Sequence, residues 1–444
     1  MKKVWLVVAL VTLGGLTSKT YADVQNIRLS GDIRIRGYYL DNTDPSDQGN
    51  ESFISQRTRV SVEADLEDHV LVVVTLQAEG EWGANNDSAS SNSGAGVANA
   101  SAISRRWALG VSEAYVQMNE VFYTPATLKL GRQYLNYGHG LILSSVEQEY
   151  NYDAARLVLD YYPLTIDLVG AEIVNNAAFG PGDSHGGSDL LFVNARYEMT
   201  DSVIKNVEAY FGWLSQASAG SGANTRVPPS NGAADASPWI IGARTDLQPS
   251  NGFQIWAEGA YEGGADGSPG VAAKNISAGL LNLGGRFTMK DTQWSPAINA
   301  NYIYATGGGQ NGEGNFRPWF DYADGYNGYL FCPALSNIQI FNVGASVKPY
   351  ENTTLSLQGY YYLKADSDTT AGSNANVDFG GLATGATGPS SGIGWEFDGI
   401  VGYDYSKDVR LQLVYGVFVP GGAYQKAGDS VTSQEVRGEV NVKF

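Results

Sequence analysis

The chain has 444 residues, 55 of them Gly and 27 Tyr, with a single Cys and a formal net charge of −18. An acidic chain with no run of Lys or Arg excludes a nucleic-acid partner, and one Cys excludes an internal disulfide framework. Past the first residues no segment approaches the roughly 18 consecutive apolar positions of a membrane helix.

The chain starts with Lys2 and Lys3, a charge-free stretch over 4–16, and the small-residue site Thr20-Tyr21-Ala22. That pattern predicts an export signal over 1–22, cleaved to leave a mature chain from Asp23. No Cys follows the cleavage site, so lipid attachment there is excluded. The remainder, 23–444, is expected to form one domain.

From 27 onward the dominant signal is period-two alternation. Ile27, Leu29, Ile33 and Ile35 share one face, and Arg28, Ser30, Asp32, Arg34 and Arg36 share the other. In the next segment Val60, Val62, Ala64 and Leu66 oppose Arg57, Arg59, Glu63 and Asp65. The pattern predicts 18 strands, near 26–40, 52–66, 70–83, 108–119, 126–137, 153–162, 164–175, 189–199, 205–215, 238–248, 252–263, 278–290, 295–306, 337–348, 353–365, 393–405, 409–419 and 434–444. Segments of this length suit tilted strands crossing a bilayer.

The connections alternate between short and long. Glu67-Asp68-His69, the step at Pro163, Pro249-Ser250-Asn251, Pro349-Tyr350-Glu351-Asn352 and Ser406-Lys407-Asp408 are short. The stretches 84–107, 138–152, 176–188, 216–237, 264–277, 307–336, 366–392 and 420–433 are long and rich in Gly, Ser, Asn and Asp. This sorting predicts an all-β fold: a transmembrane antiparallel barrel in the outer membrane, with short periplasmic turns and long extracellular loops. A soluble sandwich gives no reason for it. Phe444 ends the chain on the apolar register behind Val442 and Val440, where a terminal aromatic resembles the signal read by the barrel-assembly machinery. Tyr39, Trp82, Tyr161, Trp213, Trp239, Tyr261, Trp395 and Tyr403 fall near strand ends on the same register, as aromatic girdles facing lipid and lipopolysaccharide should.

A barrel of this strand number has an interior wide enough for water. Its inward register carries Arg28, Arg34, Arg36, Arg57, Arg59, Lys129, Arg156, Arg196, Arg244, Arg286, Arg410 and Arg437. Asp32, Glu63, Asp65, Glu79, Glu113, Asp160, Glu198, Glu208, Asp246, Glu258, Glu396, Asp398 and Glu439 answer them. Rings of Arg favour anions, whereas Arg beside Asp or Glu braces the wall; most single positions here read as bracing, with some arginines left over. The acidic loop 40–51 lacks the ligand spacing of a calcium loop and reads as turn-forming and hydrated.

The segment SEAYVQMNEVFYTPATLKLGRQYLNYGHG (112–140), with YDAARLVLDYY (152–162), resembles the alginate-export family of outer-membrane proteins. So do NVGASVKPYENTTLSLQGYYYL (342–363) and WEFDGIVGYDYSKDVRLQLVYGVFVPGGAY (395–424) with the final strand. The resemblance implies an 18-strand barrel, and it marks Glu113, Tyr115, Arg132, Gln133 and Arg156 as constriction or wall groups. Alternation from Leu128 and Leu130 turns Arg132 towards lipid, so a bulge near Gly131 is expected to redirect it inward. Three departures weaken transfer of the family's substrate. The lumen is of mixed charge, and Leu141-Ile142-Leu143 stands where the family often places Arg. The family's periplasmic plug is replaced here by the short turn Ser406-Lys407-Asp408. A plug formed by 84–107 or 138–152 folding inward is left open by the sequence.

His69, His139 and His185 all lie in turns or loops, and only the sequence proximity of Ser144 to His139 hints at hydrolysis. No haem, zinc or phosphate-loop motif is present, so no cofactor is expected. The expectation is a passive channel for a small hydrophilic, anionic or polysaccharide solute. The alternatives are a structural or partner-binding barrel without open-channel activity, and an outer-membrane enzyme.

Overall fold

The computed structural model describes residues 24–42, 49–83, 107–145, 151–175, 187–216, 236–265, 275–308, 313–319, 327–367, 390–423 and 431–444. The expected export signal, most of 84–107 and the centre of the acidic 40–51 segment lie outside them.

The described residues form eighteen strands. They are β1 Val24–Asp41, β2 Asn50–Leu66, β3 Val70–Glu81, β4 Ala108–Met118, β5 Ala126–Gln133, β6 Tyr152–Tyr161, β7 Leu164–Asn175, β8 Gly187–Glu198 and β9 Ile204–Gln216. The second half comprises β10 Ser237–Leu247, β11 Phe253–Ala265, β12 Asn275–Thr288, β13 Ala297–Ala305, β14 Ile338–Tyr350, β15 Thr353–Lys364, β16 Gly392–Asp404, β17 Val409–Pro420 and β18 Ser433–Lys443. Each expected strand is present, displaced by a few residues at most. Every strand pairs antiparallel with its sequence neighbours, and β1 pairs with β18, so the sheet closes. Closure is what hydrocarbon demands, because an unpaired backbone group there costs several kcal/mol. The seam runs from Asp32 opposite Lys443 to Asp41 opposite Gln434. Gly31 and Phe444 extend it by exchanging backbone hydrogen bonds of 2.9 and 3.0 Å.

Alternation maps onto the two faces. On β1, Ile27 and Leu29 are exposed on the outside, whereas Asp32, Arg34 and Arg36 are buried inside. The outer face carries Tyr39, Trp82, Tyr161, Trp213, Tyr261, Trp395 and Tyr403, all exposed, and Trp239, half-buried. Across β13–β16 the outer rings touch: Tyr302 and Phe341 at 4.7 Å between centroids, and Tyr361 and Trp395 at 4.0 Å.

The interior departs from a simple water-filled tube. Residues 134–145, between β5 and β6, and residues 313–319 and 327–337, between β13 and β14, fold into the barrel. Leu135, Leu141, Ile142 and Leu143 from the first connection join Phe316, Trp319, Phe331 and Leu335 from the second. Together they pack against inward Val169, Phe192, Ile240, Ile303, Ile340 and Tyr362. The apolar triplet 141–143 explains the inward turn, since exposing three large aliphatic side chains forfeits roughly 1.5–3 kcal/mol each. The 307–336 connection, expected to be a hydrophilic outer loop, is in its described part a core element.

Candidate functional site

One side of the interior is charged. Cross-strand register places Asp32 opposite Arg59, Arg34 opposite Arg57 and Arg36 opposite Glu439. Arg59 Nε donates to Asp32 Oδ1 at 2.6 Å, and Arg36 Nε donates to Glu439 Oε2 at 2.5 Å. Arg57 Nη2 lies 3.7 Å from Asp32 Oδ2, and Arg34 Nη2 lies 3.9 Å from Glu79 Oε1. Arg437 stands 3.4 Å from Glu435, with its guanidinium 4.9 Å from the ring centre of Tyr329. Interleaved acids allow so many arginines to pack together; without them, like-charge repulsion in a poorly hydrated wall would be prohibitive.

The wall continues through β4–β7. Thr75 donates to Glu113 at 3.4 Å, Lys129 Nζ sits 3.5 Å over the ring of Tyr115, and Arg156 donates to Asp167 at 2.7 Å. Arginines near the periplasmic ends of their strands are the more open ones. Arg28 is held by Glu63 and Asp65, Arg196 lies 3.4 Å from Glu198, and Arg410 donates to Asp404 at 2.8 Å. Arg286 differs. It is exposed, and its contact is a 3.4 Å bond to the Ser346 hydroxyl, with no carboxylate partner among the described residues.

The other side is built around four buried carboxylates that grip the infolded connections. Glu258, on β11, accepts the backbone N–H of His139 at 2.9 Å and the hydroxyl of Tyr210 at 2.9 Å. Beside it Glu208 accepts the N–H of Gly138 at 3.1 Å, and Arg244 donates to the Gly138 carbonyl at 2.5 Å. Gly138 has φ +61°, and a Cβ there would lie 2.4 Å from Glu258 Oε1, so the turn requires glycine on both counts. Glu262 accepts the N–H of Arg317 at 3.0 Å and the indole N–H of Trp319 at 3.1 Å. Glu396 accepts three successive backbone N–H groups, from Tyr329, Leu330 and Phe331, at 2.7, 2.9 and 2.9 Å.

These contacts correct several expectations. Glu258 and Glu396 are 1% and 0% exposed, and Asp398 is 2% exposed, so none of the three meets lumen water. Alternation gives a side chain's face but not what a loop later lays over it. Gln133 is inward yet fully buried, its Nε2 donating to the Ala154 and Gly131 carbonyls. No bulge redirects Arg132, because register is unbroken from β4 through β6. Arg132 remains on the outer face beside Ala114, making bonds of 2.8 Å to both oxygens of Asp153. Gly131 serves close strand approach instead: a Cβ would lie 2.2 Å from the Ala114 carbonyl oxygen. The latching role of Glu258 and Glu396 carried no local sequence signal, since each sits in an ordinary alternating strand.

Ser144 and His139 do not form a catalytic pair. Ser144 Oγ donates to Asn136 Oδ1 at 3.3 Å, while His139 Nδ1 faces Asn282 Nδ2 at 3.0 Å. Burial, reinforced by Arg244 and opposed by Asp246, lowers the His139 imidazole to about 4, so it is neutral near pH 7.

Residues 25–437 match the family described as alginate export. No curated protein sequence matches the chain. Among solved structures it is similar to OpdQ of Pseudomonas aeruginosa, at 12% identity and TM-score 0.57, covering 95% of this chain and 98% of that one. It is similar to P. aeruginosa OpdK solved with vanillate, at 12% identity and TM-score 0.55, covering 94% and 98%. A BenF-like porin from Pseudomonas fluorescens Pf-5 has 10% identity and TM-score 0.55, covering 95% and 99%.

Proposed function

Because the chain belongs to the alginate export family and is an outer-membrane barrel of porin type, we propose that it passes a hydrophilic, anionic or carbohydrate solute by diffusion and catalyses no reaction. Arg286 is the observation that carries the anionic preference, as an open lumenal arginine whose charge no described acid offsets. The paired arginines of β1, β2 and β18 add polarity and rigidity more than net positive field. Weak, distributed contacts suit a conduit, because a solute held tightly at one place cannot leave. OpdK, which shares the fold, is described with vanillate, an aromatic carboxylate. On this reading residues 1–22 direct export and are removed, and Phe444 engages the barrel-assembly machinery.

The purified chain in planar bilayers should conduct, and a salt gradient should give a reversal potential on the anion side. Arg286→Gln should move that potential towards cations with conductance retained. An unmoved potential would remove the anion preference. A second reading, a sealed partner-binding sleeve, is favoured by the apolar connections packed inside the barrel. Absence of any conductance would select it.

A further inference from the structure

The inner wall of β11–β15 contains a patch of different chemistry from the rest of the lumen. Two successive cross-strand rows build it. The upper row runs Trp256, Gly284, Asn301 and Asn342, and the lower runs Arg286, Asn299, Gly344 and Gln358. Along the charged wall acids and bases pair, whereas here amides bond one another, with the exposed Arg286 at the β12 end of the lower row. Asn299 Nδ2 donates to Asn342 Oδ1 at 3.0 Å and to Gln358 Oε1 at 3.3 Å, and Asn342 Nδ2 donates to Gln358 Oε1 at 3.1 Å.

Trp256 lies across the wall above them. Its Nε1 donates to Asn301 Oδ1 at 3.1 Å, and that bond passes over Gly284. A Cβ on Gly284 would fall 2.3 Å from both Asn301 Oδ1 and the indole carbons, so only glycine lets the ring lie down there. The indole and the Asn299 and Gln358 amides are half-buried, hence reachable from the lumen. Hydrogen-bonding capacity remains in the cluster. Asn299 Oδ1 accepts one bond, which leaves it a lone pair, and Gln358 Nε2 donates only a 3.4 Å bond.

From this arrangement we propose that Trp256, Asn299 and Gln358 form a binding subsite for an uncharged, hydroxyl-bearing ring of pyranoside type. The proposal rests on the conduit reading and narrows its solute. An aromatic platform beside convergent amides matches a ring with one C–H face and a rim of hydroxyls, apolar contact on the indole and polar contact on amides that both donate and accept. Amides give up water far more readily than ions do, so a neutral solute displaces water more cheaply from them than from the arginine wall. The subsite lies directly beneath the turn gripped by Glu258, whose His139 ring meets the Trp256 indole edge-on at 5.8 Å between centroids. A solute on the indole is therefore held where the infolded connection narrows its route.

The test uses the full purified chain with methyl α-glucoside as the probe. In planar bilayers the sugar should interrupt the ion current in a concentration-dependent way. Trp256→Ala should weaken that block at least tenfold, and Trp256→Phe should restore most of it. Asn299→Ala with Gln358→Ala should also weaken it, while the reversal potential in salt alone stays put. Heat-modifiable electrophoretic migration establishes that each variant is folded. Conduction with no block by the sugar overturns the subsite and leaves the conduit intact. Should the wild type not conduct, calorimetric titration of the detergent-solubilised chain decides: heat of binding lost in Trp256→Ala supports the subsite, and no heat overturns it.

Discussion

Glu396 does for three consecutive backbone N–H groups what a neighbouring strand would do elsewhere. Truncation to Ala takes the shared acceptor from those donors, beside Phe331 stacked on Phe418 at 4.3 Å. A buried donor left unpaired costs about 1–3 kcal/mol, and relaxation of the 327–331 turn recovers part of that. Glu396→Ala should therefore lower the barrel's thermal transition and raise both mean conductance and current noise, as the connection leaves the wall. A current trace matching wild type would show that the turn is held by its aromatic packing alone. Asp32 presents the converse case, an acid between Arg57 and Arg59. Asp32→Ala removes the acid shared by two packed guanidiniums and leaves Arg57 with Glu79 across the strand pair; breaking a buried pair costs up to about 3–5 kcal/mol, and denaturant unfolding should register it, whereas Arg286→Gln should leave the same unfolding curve unchanged. At this scale the sequence was a fair guide to direction and a poor guide to surroundings. Alternation assigned the faces of Arg34, Arg57 and Glu258 alike, but burial of Glu258 arises from residues 119 positions away, which no local pattern encodes.

Among the elements, the connection over 134–145 has the least typical composition for a surface loop, and Leu141-Ile142-Leu143 is the trace of its inward fold. Its tip, Gly138-His139, depends on a neutral imidazole and is enclosed by Glu208 of β9 and Arg244 of β10 at Gly138, and by Asp246 of β10, Glu258 and Trp256 of β11 and Asn282 of β12 at His139. The pH dependence has a definite sign. In the latched state the imidazole titrates near 4, and once released it titrates near its ordinary value. Between those values the released connection binds more protons, so latching is fully supported near pH 7 and weakens as pH falls from about 6.5 towards 4. Conductance recorded across that interval should rise or grow noisier in the wild type, with a smaller change in His139→Asn. Equal pH responses in the two proteins would shift the cause to the surrounding carboxylates. The strands, by contrast, were legible to within about four residues at each end. Period-two patterning is a local property that lipid on one side and water or packed polar groups on the other enforce along each strand.

For the whole molecule, closure is the organising constraint, and it explains why the number of strands could be counted while the lumen could not be described. Counting needs only the alternation and the sorting of short from long connections. The interior depends on which loops return to the cavity, a long-range outcome decided by buried apolar area and a few carboxylate latches. The last step of closure falls at the C-terminus. Phe444 pairs its backbone with Gly31, and its ring rests on the outer face where a Cβ at position 31 would come within 2.6 Å of it. Deleting Phe444 removes two backbone hydrogen bonds and an aromatic contact from a seam that must be complete to exclude an open edge from lipid. Gly31→Val tests the same seam from β1 while keeping the terminal residue, since its side chain collides with the ring and with the Arg59 carbonyl oxygen. If Phe444 acts only through the seam, both variants should lower the thermal transition of refolded barrel in detergent to a similar degree. If it is also read during insertion, the deletion alone should deplete folded protein from outer membranes beyond what its lost stability accounts for. Equal depletion of the two variants would reduce Phe444 to a structural residue of the seam.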